Sequence, residues 1–222
     1  MKTQLLTSKR NSTREFKILG IMMLSLISLN MNAQSTVNLK LFIQGYYVSP
    51  SQMKPVRMIQ GCPPPNSNNV TTGITVELRD AVSPYAVAAS IQATLNTDGT
   101  CVATFPSLTG QYYLNVRSCN SLSYCSALPI ALGANPNYYD FSISDTQTYG
   151  GGQVEVNPGI WAFISGDVNQ DGNIGILDLA QVQSAIFNSG CLCTDLDGDG
   201  NVGLSDLIEI MNNMGLGGIG CP

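Results

Sequence analysis

Hydrophobic positions recur with two different periods along the chain, and the period changes near residue 164. Before it, apolar and polar residues alternate in short stretches, as in strands with one buried face. Val37, Leu39 and Leu41 show this pattern first. The later stretches are 73–80, 85–93, 101–105, 111–117, 138–144 and 153–156. Turn-forming segments separate them, so the sequence predicts an antiparallel β-sandwich of about seven or eight short strands, with residues 49–72 as a surface loop.

After residue 164 apolar residues recur at helical spacing, and the pattern occurs twice. Each apolar stripe follows a run with acidic or amide side chains at every second position, here named loop 1 (residues 167–178) and loop 2 (residues 195–206). The stripes are Leu179, Val182, Ile186 and Leu207, Ile210, Met214. They lie 28 residues apart and hold the same positions relative to their loops. The sequence therefore predicts an internal repeat of two helices that share one core.

Both loops place oxygen-bearing side chains at the spacing that calcium requires. Calcium takes about six to eight oxygen ligands, which a loop of roughly twelve residues supplies from positions 1, 3, 5, 7 and 12, with glycine at position 6. The predicted ligands are Asp167, Asn169, Asp171, Asn173 (through its carbonyl) and Asp178, and in the same order Asp195, Asp197, Asp199, Asn201 and Asp206. Zinc would require Cys or His, and magnesium rarely takes an all-protein cage. The predicted cofactor is two Ca²⁺ ions; the alternative is a pair of solvated acidic loops.

Two finer expectations concern the loops. Ile174 and Val202, both at position 8, can join the loops to each other by a short β-bridge. Loop 2 carries four carboxylates and loop 1 carries three, so loop 2 is expected to bind calcium more tightly at low salt.

A loop followed by a helix, duplicated without an entering helix and with Asp at position 12, resembles the dockerin module of bacterial polysaccharide-degrading assemblies. The resemblance covers residues 162–221. It implies calcium-dependent folding and a helix surface that docks to a cohesin domain on a scaffold or cell-surface protein. The family's recognition positions fall here on Ile176, Leu177, Leu204 and Ser205. The alternative for the apolar residues among them is packing within the module or against the sandwich.

The N-terminal segment predicts export. Residues 1–17 carry five Lys or Arg, residues 18–29 are an apolar run, and a cleavage site follows at Ala33. The run is shorter than the roughly 20 residues of a membrane span. The predicted organisation is a signal peptide (1–33), an Ig-like or prealbumin-like β-sandwich (34–161) and a small α-helical dockerin-like calcium module (162–222). The fold class is thus mainly β, and the protein is expected to be secreted or on a bacterial cell surface.

Charge and residue types narrow the possible functions. Without the signal, five basic residues face fourteen acidic ones, which disfavours nucleic acid and anionic membranes as partners. Histidine is absent, and the acids outside the loops are scattered singly, so no catalytic constellation is predicted.

The expected function is that of a non-catalytic calcium-binding protein that docks to a surface partner or rigidifies the chain. One alternative is a carbohydrate-binding accessory protein of a polysaccharide-degrading system, with tyrosines from the pairs at 46–47, 112–113 and 138–139 stacking on sugars. A second is a cell-surface adhesin or structural subunit.

Seven cysteines in an exported chain predict disulfides with one thiol left over. Four precede residue 160 and three follow it, which suggests two separately crosslinked units. Cys221 is expected to bond Cys193, or alternatively Cys191. The remaining predicted pairs are Cys119 with Cys125 and Cys62 with Cys101.

Overall fold

The alternating stretches of the sequence form strands. The computed structural model describes residues 34–56, 69–133, 137–190 and 192–222. The predicted signal peptide, Cys62 and Cys191 lie outside these ranges. The strands are β1 (Gln34–Lys40), β2 (Tyr47–Val48), β3 (Gln52–Met53), β4 (Val70–Asp80), β5 (Val87–Asn96), β6 (Thr100–Pro106), β7 (Gly110–Arg117), β8 (Tyr124–Cys125), β9 (Ile130–Leu132), β10 (Asn137–Asp140), β11 (Val154–Asn157) and β12 (Ile160–Ala162). The helices are α1 (Ile176–Ser184) and α2 (Leu204–Asn213), with short 3-10 turns at Gln44–Tyr46 and Asp145–Gln147.

Eight of the strands hydrogen-bond into one sheet in the order β10-β1-β6-β5-β4-β7-β8, with β9 also paired to β7. The pair β1 and β10 is parallel, whereas the other pairs of this sheet are antiparallel. The mainly β class is confirmed, but the prediction of a purely antiparallel arrangement is wrong. A parallel pair requires a long crossover, and here the whole chain from β1 to β10 supplies it.

The sheet curls until its two ends meet around aromatic residues. Phe163 contacts Tyr124 of β8 at 4.5 Å between ring centroids and Phe141, which follows β10, at 5.4 Å. The hydroxyl group of Tyr139 in β10 accepts a hydrogen bond from the backbone N–H of Ala127, just after β8. These contacts close the strand region (residues 34–161) over a continuous apolar interior.

The same interior extends into the C-terminal module. Val182 of α1, Ile210 of α2 and Leu196 of loop 2 are fully buried and belong to one apolar cluster with Phe42 and Phe163. Residues 33–222 form one compact unit. The predicted boundary between residues 161 and 162 therefore separates two regions within one compact unit.

The module consists of two loop–helix repeats, and its described residues contain no helix that enters either loop, as the sequence indicated. The N–H of Phe187, after α1, donates to the carbonyl of Val202 in loop 2, and the N–H of Gly215, after α2, donates to the carbonyl of Ile174 in loop 1. Both pairs are related by the 28-residue repeat offset. The prediction that Ile174 and Val202 pair with each other is wrong, because each pairs with the segment that follows the helix of the other repeat.

Candidate metal centres

The carboxylate at position 12 organises each loop through the same hydrogen bonds. Asp178 and Asp206 are fully buried. Each accepts backbone N–H bonds from positions 2, 3 and 9 of its loop. In loop 1 the donors to Asp178 are Val168, Asn169 and Gly175, each at 2.9 Å. In loop 2 the donors to Asp206 are Leu196 at 2.6 Å, Asp197 at 3.1 Å and Gly203 at 2.8 Å. Asp178 and Asp206 lie in the first turn of α1 and α2, so their bonds from Gly175 and Gly203 also cap these helices.

The carboxylate at position 1 is buried as well, and it fixes the opposite side of each loop. Asp167 accepts from the N–H groups of Asp171 and Gly172, both at 3.1 Å. Asp195 accepts from those of Asp199 at 3.2 Å and Gly200 at 2.8 Å. The two loops thus repeat one backbone geometry, with glycine at position 6 in a left-handed conformation in both.

In one of the two loops, acidic oxygens converge where the sequence predicts ligands. In loop 2, Asp195, Asp197 and Asp199 each place a carboxylate oxygen within 4.8 Å of the others. Burial, together with the neighbouring charges, raises the pKa of Asp167 and of Asp195 to about 6. Burial likewise raises the pKa of Asp206. Carboxylates crowded in this way suit a hard cation, and the oxygen-only ligand set fits calcium.

Loop 2 and α2 lie directly against the strand region. The amide groups of Asn213 and Gln44 bond each other, at 3.0 Å and 3.4 Å, and Asn213 also donates to the carbonyl of Ser165. Gly45 approaches loop 2 so closely that a Cβ there would collide with the carbonyl oxygen of Leu196. The module is therefore fitted to the strand region through small and amide-bearing residues.

Sequence reasoning missed a basic side chain that touches loop 2 from the strand region. Lys54 donates from its ammonium group to the backbone carbonyl of Asp197 at 2.8 Å. It follows β3, within the stretch predicted as a surface loop, and no local pattern marks it. Loop 1 faces a cleft of about 200 Å³ whose other wall includes Arg79 and Arg117. These guanidinium groups lie 2.8 Å and 3.7 Å from the carboxylate of Glu77.

The predicted recognition residues all lie at the surface. Ile176, Leu177 and Leu204 are 67%, 64% and 70% exposed, and Ser205 is exposed as well. Packing within the module or against the strand region is thus not their role in this structure. Phe187, which the sequence argument did not single out, is 95% exposed.

The tyrosine pairs do not form an exposed row. Tyr138 is 64% exposed, whereas Tyr46 is buried under loop 2. Tyr113 packs edge-to-face against Tyr85 and Tyr149. The remaining members of the pairs are half-buried. The stacking surface considered for a glycan is thus reduced to a single tyrosine among the six.

The disulfides cross between the two regions. Cys119 is bonded to Cys193, and Cys125 to Cys221, with Cα–Cα distances of 5.4 Å and 5.1 Å. Cys101 is a buried free thiol. The predicted pairs Cys119–Cys125, Cys62–Cys101 and Cys193–Cys221 are therefore wrong, as is the idea of two separately crosslinked units.

The path of the C-terminal tail explains the bond between Cys125 and Cys221. The N–H of Gly218 bonds the carbonyl of Gly172 in loop 1, and the tail passes the backbone of Ser123. Cys221 is thereby brought beside β8. Disulfides persist in oxidising compartments such as the cell exterior. Within the described ranges, neither helix has the length and apolar character needed to cross a bilayer.

Comparisons with known proteins give no family. No protein-family model matches the chain, and no curated protein matches it. Two similar solved structures are type II cohesin–X-dockerin complexes from Acetivibrio cellulolyticus, mutated at the C-terminal and the N-terminal interface respectively. The first is 17% identical over 82% of this chain and 97% of the matched chain, with a TM-score of 0.49. The second is 17% identical over 81% and 95%, with a TM-score of 0.48. Likeness at this level assigns neither a family nor a partner.

Proposed function

We propose that the protein is an exported, non-catalytic binding protein whose C-terminal module holds two Ca²⁺ ions and presents its helix surface to a protein partner. The observation that carries the calcium part is the repeated loop geometry. Positions 1 and 12 are buried carboxylates that accept backbone N–H bonds in both loops, and in loop 2 the carboxylates at positions 1, 3 and 5 lie close together. In this arrangement Asp171 and Asp199, which are exposed, would supply the ligand at position 5.

Calcium would balance charge that the module cannot balance itself. Residues 162–222 contain seven Asp and one Glu but no Lys or Arg. Without ions the carboxylates of each loop repel one another at short range. Metal binding that depends on the folded loops stabilises the fold. Removing calcium is therefore expected to lower the midpoint of thermal unfolding and to reduce helicity in circular dichroism, and magnesium at equal concentration should not restore either. Identical melting curves with calcium and after metal removal would contradict this function.

The docking part rests on exposed apolar side chains. Ile176 and Leu204 hold equivalent positions in the two repeats, and both are solvent-exposed at the start of their helices. Exposed apolar residues concentrated on a small module are characteristic of interaction surfaces. Because the module contains acidic residues but no Lys or Arg, it favours a partner whose apolar binding surface is surrounded by basic residues.

The docking test uses substitutions that should not disturb folding. Ile176→Asp and Leu204→Asp are compared with Thr104→Asp, a surface change on β6, in capture of cell-surface proteins from the source bacterium. Docking is supported if Ile176→Asp and Leu204→Asp fail to capture a protein that Thr104→Asp still captures, and if all three variants have unchanged melting curves. A partner that binds all variants equally contradicts the assignment of this surface.

A further inference from the structure

A basic side chain of the strand region touches loop 2 at a predicted ligand. The ammonium group of Lys54 lies 2.8 Å from the backbone oxygen of Asp197 and 3.9 Å from its Oδ2. Asp197 stands at position 3, where the calcium ion of the proposed function takes a carboxylate oxygen. We propose that Lys54 is an internal competitor of calcium that lowers the affinity of loop 2 for the ion. This inference rests on the proposed calcium site.

Lys54 is held toward loop 2 by its backbone surroundings. Its N–H donates to the carbonyl of Tyr46 at 2.7 Å, and the N–H of Met53 donates to that of Thr97 at 2.6 Å. Met53 itself is buried. The Tyr46 ring packs so tightly against Gly198 of loop 2 that a Cβ there would lie 2.8 Å from it. The lysine therefore extends from a fixed segment at a fixed distance from the loop.

Lys54 adds a positive charge to the loop that carries more carboxylates. Loop 2 has four carboxylates against three in loop 1, and the ammonium group of Lys54 lies against it, with the carboxylate of Glu209 nearby. The side chains of Lys54 and Asp197 are 36% and 22% exposed, so solvent screens their interaction only in part. Lys54 stabilises the metal-free loop by neutralising charge, and it repels the divalent ion once bound. Both effects weaken calcium binding.

Loop 1 lacks such a contact. Arg79 and Arg117 line the cleft in front of it, but both are paired with Glu77. No ion pair joins a base to a loop 1 carboxylate within the described part of the chain. Among the described residues, the strand region thus places a base in contact with loop 2 only. This contact opposes the tighter calcium binding that four carboxylates alone would give to loop 2.

The test isolates loop 2 and removes the charge of Lys54. Calcium is titrated calorimetrically into the exported chain carrying Asp171→Asn, which weakens loop 1 at an exposed ligand. On this background Lys54→Gln and Lys54→Met are compared with the unsubstituted lysine. Lys40→Gln is the control, because it removes the same charge from a lysine whose ammonium lies 5.9 Å from the Phe42 ring centre.

Both Lys54 variants are expected to bind calcium about three- to tenfold more tightly, with a smaller gain at about 0.5 M salt, while Lys40→Gln leaves the affinity unchanged. Unchanged or weaker binding in both Lys54 variants would overturn the proposal while leaving calcium binding intact. Tightening in Lys54→Met alone would also overturn it, because the hydrogen bond rather than the charge would be responsible. If calcium gave no heat even with Asp171 and Lys54 both unsubstituted, the proposed function itself would fail, and this inference with it.

Discussion

The backbone N–H of Phe187 donates a 2.9 Å hydrogen bond to the carbonyl oxygen of Val202, which ties the end of the first repeat to the loop of the second. Phe187 makes this bond from a left-handed backbone with φ of 69°. Its counterpart in the other repeat, Gly215, has φ of 86°. The connection requires the same conformation twice, but glycine supplies it only once. A phenylalanine in this region carries a cost of about 1–2 kcal/mol.

Phe187→Gly is therefore expected to raise the free energy of unfolding by about 0.5–1 kcal/mol, because strain is relieved and little buried surface is lost. Phe187→Ala retains a Cβ and should give no such gain. Urea unfolding in the presence of calcium measures the free energy of unfolding of both variants. A clear loss of stability in the glycine variant would mean that the exposed ring packs against the chain in solution.

The close approach of the two regions at Gly45 predicts a local packing defect on substitution. Gly45→Ala should lower the free energy of unfolding by about 1–3 kcal/mol, because the new methyl group collides with the backbone of Leu196. Gly73→Ala is the matched control in β4, since nothing lies within 4 Å of the added atom. Equal stability of the two variants would contradict the observed fit between strand region and module.

The disulfide arrangement predicts a specific peptide map. Non-reduced digestion should yield Cys119 joined to Cys193 and Cys125 joined to Cys221. Burial raises the pKa of the Cys101 thiol to about 12. This thiol should therefore resist alkylation near pH 8 in the native protein and react after unfolding. Labelling of Cys101 in the native state would show that it is accessible.

The stability of the metal-free protein should decrease as the pH rises, whereas with calcium bound it should decrease as the pH falls. The pKa values of Asp167 and Asp195 are about 6 when folded, against about 3.9 when unfolded. Between these values the folded state binds more protons, so its stability falls as the pH rises from about 4 to 6. With calcium bound, stability should instead fall as the pH decreases, because protons compete for the ligands. Thermal unfolding is measured at pH 5 and pH 7.5, once after metal removal by resin and once with calcium added. Parallel pH profiles of the two samples would contradict the proposed ligands.

The repeat and the strands could be predicted from the sequence because the patterns that indicate them lie within short stretches of the chain. The offset between Asp167 and Asp195 predicted that both loops share one geometry, and the structure gives them matching hydrogen bonds. Alternation in the stretches around Val76 and Leu114 likewise predicted β4 and β7. Periodicity of this kind reports which face of an element is buried.

What the sequence did not provide were relationships between distant elements. Cys119 and Cys125 are close in sequence, yet each bonds the module: Cys119 the segment between the repeats, at Cys193, and Cys125 the C-terminal tail, at Cys221. Lys54 reaches loop 2 from a segment far away along the chain, and Ile174 pairs with the tail of the other repeat. Such pairings depend on how the regions pack, which spacing along the chain does not determine.

Calcium stoichiometry in matched ligand variants tests the central claim most directly. The protein is expected to bind two Ca²⁺ ions in an isothermal titration, whereas Asp171→Asn and Asp199→Asn should each weaken one binding step by about tenfold or more. Asn in place of these exposed aspartates can still accept the N–H bonds that Asn173 and Asn201 donate, so the fold is preserved. Asp98→Asn, at an exposed turn outside the module, should leave both steps unchanged. Two steps with each variant losing a different one would support paired calcium loops, whereas no binding, or binding that neither substitution alters, would contradict them.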